Sequence, residues 1–349
     1  MSASIKAAVL SAGAWSQSSH LPTLKRHPEV ELLALSSPDP ATASALGAAF
    51  GVPGLSDWRA ALALGPDIVV VSSPPVAHEE QVLAALDAGA HVLVEKPFAL
   101  DGRSAARMRD AAERSGRALL VGFGWPAAPI FALSRSLIAA GEIGPIEHMS
   151  MHLAVNTRAL LQGSTDGGWG GATESNTATY TDRRISAGGA AAVSMSHQLG
   201  LVEWLIGEPI VAVAASTFPP AGDIDLHASV VADFAGGGSS ALSSGSTHPY
   251  LARPQWHMAL YGRHGQLWAD SVEDHLRLVR ADGSRAEYRG PDASGVYDPG
   301  APTSALIACA RGAAVPTGLS ARLAAHVVAV TDAIYESART GQKLRIETP

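Results

Sequence analysis

Short apolar runs alternate with helix-length segments along residues 1–122, and this alternation constrains the fold more than any other feature. The runs are Lys6–Leu10, Glu31–Leu35, Ile68–Ser72, His91–Glu95 and Ala118–Gly122. Continuous Val, Ile, Leu and Ala suit strands that are buried on both faces of a parallel sheet. Between the runs, Asp39-Pro40 is typical of a helix start, and Gly89 and Gly116 are typical of helix ends. Residues 1–122 are therefore predicted to form an α/β domain with a Rossmann-type, doubly wound parallel sheet.

Residues 123–349 carry a different pattern. A helix is predicted over Pro129–Ala140, a strand over Ile146–Val155, and a long loop over the polar, Gly-rich residues 156–189. Six further strand-like runs have no helix between them: Val211–Thr217, His227–Phe234, Ser239–Ser246, Gln255–Tyr261, Gln266–Ala269 and Leu276–Arg280. The remaining helices are predicted at Ala190–Ile206, Thr303–Arg311 and Ala321–Thr340. These elements predict an α+β domain with an open, mostly antiparallel sheet, and the last helix is expected to be able to pack back on the first domain.

Composition excludes several classes of protein. The net charge is −7 and no basic run stands out, which argues against a nucleic acid or an anionic membrane as partner. The first residues show no signal-peptide pattern, and no apolar stretch is long enough for a membrane helix, so a cytoplasmic location is expected. Cys309 is the single cysteine, which excludes an internal disulfide. His148 and His152 fall on a predicted strand, too far apart to share one ion, and no metal site is predicted.

The turn after the first strand, Ser11-Ala-Gly-Ala-Trp-Ser16, stands where a G-x-G-x-x-G dinucleotide fingerprint would lie. Its middle glycine, Gly13, is present, and small serines replace the other two. A positive φ at Ser11 would add strain of roughly 1 kcal/mol. Backbone N–H groups of Ala14 and Trp15 can still point at a phosphate, which predicts a pyrophosphate at this turn.

The end of the second strand bears on the choice of dinucleotide. It reads Leu35-Ser-Ser37-Pro, without the carboxylate that holds the adenosine ribose of NAD. A 2′-phosphate beside Ser37 would not be repelled, although no arginine follows to bind it. The cofactor is therefore predicted to be NAD or NADP, with a preference for NADP.

Two later segments give the most specific signal. Asp67–Pro75 ends in Ser73-Pro74-Pro75 with His78 close behind, and His91–Pro97 ends in Glu95-Lys96-Pro97. This combination resembles the glucose–fructose oxidoreductase / inositol dehydrogenase (Gfo/Idh/MocA) family, and the similarity continues through Gly188–His197 and Ala333–Gly341. The resemblance implies a nicotinamide cofactor near Ser73, Pro74, His78, Glu95 and Lys96. It also implies a homo-oligomer formed through the second sheet.

The resemblance also supplies candidate catalytic residues. Lys96 follows a buried strand at the carboxyl edge, where ligands of doubly wound sheets bind, and a lysine there can donate to a substrate oxygen. His197 matches a family histidine that works with an aspartate four residues earlier, but Val193 stands at that earlier position. Without that partner His197 is a weaker base, so Lys96 or the loop residue Tyr180 is expected to substitute. A structural core histidine remains an alternative for His197.

Three functions remain open on these residues. The first is a NAD(P)-dependent oxidoreductase that moves hydride to or from a small carbonyl, imine or sugar-like hydroxyl compound, with Lys96 as the acid/base or polarising group. Val193 and the altered glycine turn also allow a non-redox enzyme of the elimination or isomerisation type. The third is a binding protein that kept the fold and lost turnover.

Overall fold

A computed structural model describes residues 4–164, 178–219, 224–246, 255–290 and 297–348. The first domain is built on a parallel sheet of six strands in the order β3-β2-β1-β4-β5-β6. The strands are β1 Ile5–Leu10, β2 Val30–Ser36, β3 Gly54–Leu55, β4 Ile68–Val71, β5 His91–Val94 and β6 Leu119–Val121. This confirms the doubly wound sheet. Only β3 was not predicted, because two residues are too few to show a pattern.

Helices connect these strands, and the predicted helix start at Asp39-Pro40 and helix end at Gly116 are both observed. They are α1 Ala14–Ser18, α2 His20–Arg26, α3 Pro40–Phe50, α4 Trp58–Leu62, α5 Pro75–Asp87 and α6 Gly102–Ser115. Asp39 caps α3 by accepting a hydrogen bond from the Thr42 amide over 2.8 Å, with Pro40 as the first helical residue. Gly116 ends α6 with a φ of +63°.

The second domain contains a nine-stranded sheet in the order β14-β13-β12-β11-β7-β10-β9-β8-β15. Its strands are β7 Ile146–Val155, β8 Ile210–Phe218, β9 His227–Phe234, β10 Ser239–Ser246, β11 Gln255–Gly262, β12 Gly265–Asp270, β13 His275–Arg280, β14 Arg285–Arg289 and β15 Leu344–Arg345. All neighbours are antiparallel except β7 and β10, which pair in parallel. The predicted mostly antiparallel sheet is thus confirmed. The edge strands β14 and β15 were not predicted, because one is strongly polar and the other has two residues.

Eight helices belong to the described part of the second domain. They are α7 Pro129–Ala139, α8 Arg158–Leu161, α9 Ala178–Thr181, α10 Arg183–Ser186, α11 Ala190–Val193, α12 Met195–Ile206, α13 Ala301–Ala310 and α14 Ala321–Thr340. The single helix predicted over Ala190–Ile206 is therefore interrupted at Ser194. Short helices also occur within the predicted loop 156–189, of which residues 165–177 lie outside the described ranges.

The last helix joins the two domains. Helix α14 packs against β8 on one side and against α6 of the first domain on another. The amide of Gly102, at the start of α6, donates a 2.8 Å hydrogen bond to Oδ2 of Asp332 on α14. The carboxyl edge of the first sheet therefore faces helices of the second domain.

A search of the described helices found none that is both long and apolar enough to span a membrane. Within the same ranges no three His, Cys, Asp or Glu side chains come close enough together to hold a metal ion.

Candidate active site

Ser11 at the end of β1 adopts a left-handed backbone conformation, with φ at +56°. Two hydrogen bonds hold it there: its amide donates to Oγ of Ser36 over 3.0 Å, and its own Oγ accepts from Nε2 of Gln81 over 3.2 Å. The positive φ is the conformation that glycine adopts without strain. The strain expected from the sequence is therefore present, and neighbouring side chains stabilise the turn.

Gly13 and the residues after it leave room at this turn. Gly13 precedes α1, and a Cβ placed on it would meet no atom within 4 Å. Ala14 and Trp15 are the first two residues of α1, where backbone amides point out of the helix N-terminus. Ser16 is fully buried, as expected for a small residue at the third glycine position. Open space beside Gly13 and outward amides fit the close approach of a pyrophosphate.

The loops after β4 and β5 are fastened together by His78. Its Nε2 lies 2.7 Å from the carbonyl oxygen of Ser73 and its Nδ1 lies 3.1 Å from that of Phe98. Burial lowers the pKa of His78. Pro74 precedes α5 at the same edge, and the buried Oγ of Ser73 has no hydrogen-bond partner among the described residues. The His78 ring thus braces the two loops, whereas Ser73 retains a hydroxyl for a ligand.

Glu95, directly after β5, is buried and accepts three hydrogen bonds. Its Oε1 accepts from Nε1 of Trp15 over 3.0 Å and contacts Nε2 of His20 at 2.9 Å. Its Oε2 accepts from the amide of Lys96 over 3.2 Å. Burial raises the pKa of Glu95, but the hydrogen bond and charge of His20 and the charge of Lys96 outweigh this, and the pKa of Glu95 falls below its ordinary value. The carboxyl group is therefore an anion at neutral pH.

Lys96 follows at the carboxyl edge of the sheet, half-buried, and its peptide bond to Pro97 is cis. Burial lowers the pKa of Lys96, and the negative charge of Glu95 opposes this effect. A lysine of lowered pKa exchanges a proton more readily near neutral pH than a solvated one does.

His197 belongs to the same electrostatic environment. Burial and then the positive charge of Lys96 lower the pKa of His197 to about 3, although Glu95 acts in the opposite direction. The Nδ1 atom of His197 is buried and has no hydrogen-bond partner in the ranges described, and the ring lies 5.7 Å from that of Phe123. The imidazole is neutral at physiological pH.

Val193 stands at the position of the family aspartate and is surrounded by apolar side chains, so this cluster supplies no acidic group in place of that aspartate. It forms a buried cluster with Leu161, Ala190 and Leu226, and Tyr180 packs against this cluster. Burial and then the charge of Glu95 raise the pKa of Tyr180, so its hydroxyl remains protonated. Tyr180 thus lies between the apolar cluster and the charged end of the site, where it can act as a donor.

Aromatic side chains line the approach to the site. The ring of Tyr297 lies 6.2 Å from that of Trp15 and 4.6 Å from that of Trp125, which is in turn 4.1 Å from Trp256. A Cβ on Gly124 would lie 2.7 Å from the Tyr297 ring. Neither Tyr297 nor Trp256 was singled out in the sequence analysis.

The start of α11 is fixed by a second group of residues that the sequence did not indicate. The buried carboxylate of Asp225 accepts hydrogen bonds from the amides of Gly189 (3.0 Å) and Ala191 (2.8 Å) and from the hydroxyl of Tyr335 (2.7 Å). This arrangement caps the helix that leads to Val193.

Together, the six-stranded parallel sheet, the open turn at Gly13 and the lysine at the carboxyl edge are the features of a dinucleotide-binding domain. The chain belongs to the Gfo/Idh/MocA family. Residues 5–123 match the family model described as an oxidoreductase family with an NAD-binding Rossmann fold, and residues 131–268 match the GFO/IDH/MocA C-terminal domain. The resemblance inferred from the E-K-P and P-P-x-x-H segments is thereby confirmed.

Relatives and solved structures agree with this assignment. The chain is 29% identical over 224 residues to D-glucoside 3-dehydrogenase of Escherichia coli (strain K12), which covers 63% of this chain and 60% of that protein. It is 28% identical over 320 residues to a putative UDP-kanosamine synthase oxidoreductase subunit of Amycolatopsis mediterranei (strain S699). This match covers 88% of this chain and 76% of that protein. The solved structure of levoglucosan dehydrogenase in complex with NADH and levoglucosan has the same fold, with a TM-score of 0.82 and 19% sequence identity. The superposition covers 99% of this chain and 100% of that chain.

Proposed function

We propose that this protein is a nicotinamide-dependent dehydrogenase that interconverts a hydroxyl and a carbonyl group on a small sugar-like substrate, with Lys96 as the acid/base group. The observation that carries the proposal is the position of Lys96, at the carboxyl edge of the sheet with a lowered pKa. Two relatives named for glucoside and UDP-sugar chemistry and a similar structure holding levoglucosan support the substrate class.

In the oxidative direction, neutral Lys96 takes the hydroxyl proton of the substrate, and in the reductive direction the ammonium returns it. A bound nicotinamide supplies the hydride chemistry. Neutral His197 orients the substrate oxygen through a ring nitrogen, and Tyr180 donates its hydroxyl proton in a further hydrogen bond. The rings of Trp125 and Tyr297 offer apolar faces that pack against the C–H side of a sugar ring, in addition to the apolar cluster around Val193.

The residues around the turn support a dinucleotide bound at Gly13, Ala14 and Trp15, with the hydroxyl of Ser73 near its nicotinamide half. NADP preference remains a prediction that rests on Ser37, which has no carboxylate to repel a 2′-phosphate. The similar structure with NADH favours NAD. Calorimetric titration with NADH and with NADPH under the same conditions separates the two.

Kinetics of Lys96→Ala test the catalytic assignment. We expect kcat for sugar oxidation, followed through the absorbance of the reduced nicotinamide, to fall by about 10²-fold or more, while the Kd for the dinucleotide changes little. Equal turnover by the variant and the wild type would refute the role of Lys96. Lys343→Ala, a replacement in the C-terminal segment, is the matched control.

A non-redox enzyme or a binding protein is the second candidate, favoured by the apolar surroundings of Val193. An enzyme of that kind would retain bound dinucleotide without net reduction across a panel of sugars and carbonyl compounds. Failure to bind either dinucleotide would favour a binding protein instead.

We further propose a homo-oligomer formed through the outer face of the second sheet. Phe218, Val231 and Tyr261 share that face and are 61%, 52% and 45% exposed. Light scattering after size exclusion tests this, with Val231→Lys expected to lower the mass. A cytoplasmic location stays a prediction from the sequence.

A further inference from the structure

We propose that His152 and His257 form a binding site for a divalent transition-metal ion of the Zn²⁺ type on the outer face of the second sheet. The two imidazoles are the protein ligands, and water fills the other positions around the ion. The site goes beyond the proposed dehydrogenase activity and does not depend on it.

The two histidines are direct neighbours on adjacent strands. His152 lies on β7, the central strand of the nine, and pairs with His257 on β11 in the antiparallel register. His257 is four residues from Tyr261 on the same strand, so both histidines share the outer face with that ring. Side chains directly opposite each other have Cβ atoms about 4.5–5.5 Å apart, so both imidazoles can reach one ion.

The register explains why the sequence did not reveal this site. His148 and His152 lie on one strand, too far apart to share an ion, and the partner of His152 comes from the neighbouring strand instead. His152 is half-buried and His257 is exposed, which leaves the pair open to solvent.

The distance between the two rings fits a shared ion. Their centroids are 5.4 Å apart, with 42° between the ring planes. In a tetrahedral site with zinc–nitrogen distances of about 2.0–2.1 Å, the centroids of two imidazole ligands lie roughly 5 Å apart. The observed spacing therefore suits an ion between the rings without movement of the strands.

Ser243 on β10 orients the His152 ring from the other side of β7. Its Oγ lies 2.7 Å from Nδ1 of His152, and the two residues are opposite each other in the parallel register. When Nδ1–H donates to this hydroxyl, the lone pair of the neutral ring is on Nε2. Metal-binding histidines donate their other ring N–H to an oxygen in the same way, which fixes the tautomer and the ring. The hydrogen bond thus leaves Nε2 of His152 to bind the ion.

Asp270 on β12 supplies a negative charge beside the site. It is opposite His257 in the register, and its Oδ1 accepts hydrogen bonds from the amides of Val272 (2.9 Å) and Glu273 (3.1 Å). The carboxylate is therefore held by the turn after β12 and acts as a nearby anion, whose attraction favours a cation between the histidines. The protein ligands are then two nitrogens, which Zn²⁺, Ni²⁺ and Cu²⁺ accept, whereas Mg²⁺ and Ca²⁺ prefer oxygen.

Calorimetric titration with Zn²⁺ at about pH 7.5, where ordinary imidazoles are neutral, measures the site without dinucleotide or substrate. We expect a binding phase of one ion per chain. Loss of a group that only orients a ligand costs roughly 10–100-fold in metal affinity, so His152→Gln and His257→Gln should each weaken binding by more than about 10-fold. Ser243→Ala should weaken it less than either. Binding that neither histidine variant weakens overturns the proposal.

His148→Gln is the matched control. His148 lies on the same strand and face, and its Nδ1 is 3.2 Å from Oγ of Ser239, but the residue opposite it on β11 is Tyr261. It therefore shares every feature of His152 except the second imidazole. We expect this variant to bind Zn²⁺ as the wild type does; a loss equal to that of His152→Gln would mean that the ion binds diffusely to the histidines of this face, and would overturn the proposal.

A second measurement needs no variant and decides the matter if the histidine variants do not fold. Cu²⁺–iminodiacetate is a chelate that retains open positions for two imidazole nitrogens. We expect the electron paramagnetic resonance spectrum of the chelate bound to the wild-type protein to show coupling to two imidazoles. Coupling to a single imidazole contradicts the proposal.

The proposed contact between two copies uses the same face and would cover the site. If the wild type binds no Zn²⁺, the titration is repeated with Val231→Lys. Binding by a Val231→Lys protein of lowered mass supports the site, and its absence there overturns it. If Val231→Lys leaves the mass unchanged, this face is not the contact and the wild-type titration decides. Failure of the metal site is thereby distinguished from failure of the proposed oligomer.

Discussion

The hydroxyl of Tyr335 on α14 donates a 2.7 Å hydrogen bond to Oδ1 of Asp225, a residue 110 positions earlier in the chain. The same carboxylate caps α11 through the amides of Gly189 and Ala191. Both partners are buried, and the guanidinium of Arg183 lies over the Tyr335 ring at 3.9 Å. The helix that leads into the candidate active site is therefore held by the last long helix of the chain.

Removing the Tyr335 hydroxyl is expected to destabilise the fold modestly. Tyr335→Phe loses the hydrogen bond to the Asp225 carboxylate and the 3.1 Å hydrogen bond that the hydroxyl oxygen accepts from the Gly189 amide. Because Gly189 still donates to Asp225, we expect the free energy of unfolding to fall by about 1.5–3 kcal/mol in urea denaturation. Asp225→Ala should cost more, because two amides and a hydroxyl lose their acceptor together. Tyr261→Phe, at a half-exposed ring on the sheet surface, is the control and should change little; equal effects at both tyrosines would contradict this reading.

Alanine usually stabilises a fold more than glycine does, but we expect the reverse at position 11 because Ser11 has a positive φ. Both Ser11→Ala and Ser11→Gly lose the 3.2 Å hydrogen bond from Gln81. Glycine relieves the strain at φ +56° whereas alanine keeps it, so Ser11→Gly should be the more stable variant by about 1 kcal/mol. Thermal unfolding of the two variants measures the difference. An alanine variant that is equally stable would show that the strain is absent.

Restoring the family aspartate at Val193 should not restore the family site. The side chain is buried among Leu161, Ala190 and Leu226, so Val193→Asp places a carboxyl group in an apolar cluster. We expect a loss of about 2–4 kcal/mol in the free energy of unfolding, since no partner compensates the buried group. Val193→Ala provides the comparison for lost packing alone. A stable Val193→Asp variant with raised kcat would show that the cluster opens to the substrate.

His197 gives the stability a defined pH dependence. Its folded pKa, about 3, lies below its ordinary value of 6.5 because of burial and Lys96. Between these values the unfolded chain binds a proton that the native chain does not, so stability is lost as the pH falls from 6.5 towards 3. The slope contributed by His197 is at most about 1.4 kcal/mol per pH unit.

Urea denaturation between pH 4 and pH 7 measures this slope. His197→Gln is expected to show a smaller loss of stability over that range than the wild type. His264→Gln, at an exposed ring of the second domain, is the control. Identical slopes for the wild type and His197→Gln would mean that the imidazole is already solvated in the native state.

The sequence by itself determined the doubly wound sheet, the mostly antiparallel second sheet, the family, and the placement of Gly13 and Lys96. These features are local: buried strands appear as apolar runs, helix ends as Asp-Pro or glycine, and the binding edge follows from strand direction in a parallel sheet. The break at Ser194 and the two-residue strands lie below the length at which such patterns are visible.

Only the tertiary structure decided which distant side chains meet. Trp15 and His20 reach Glu95 across 80 and 75 positions, and Thr303 reaches His20 across 283. Nothing in the local sequence marks Thr303, Asp225 or Tyr297, because their partners depend on how α13, α14 and the second sheet pack. The pKa values of the site have the same origin, since burial and the distance between charges exist only once the chain has folded.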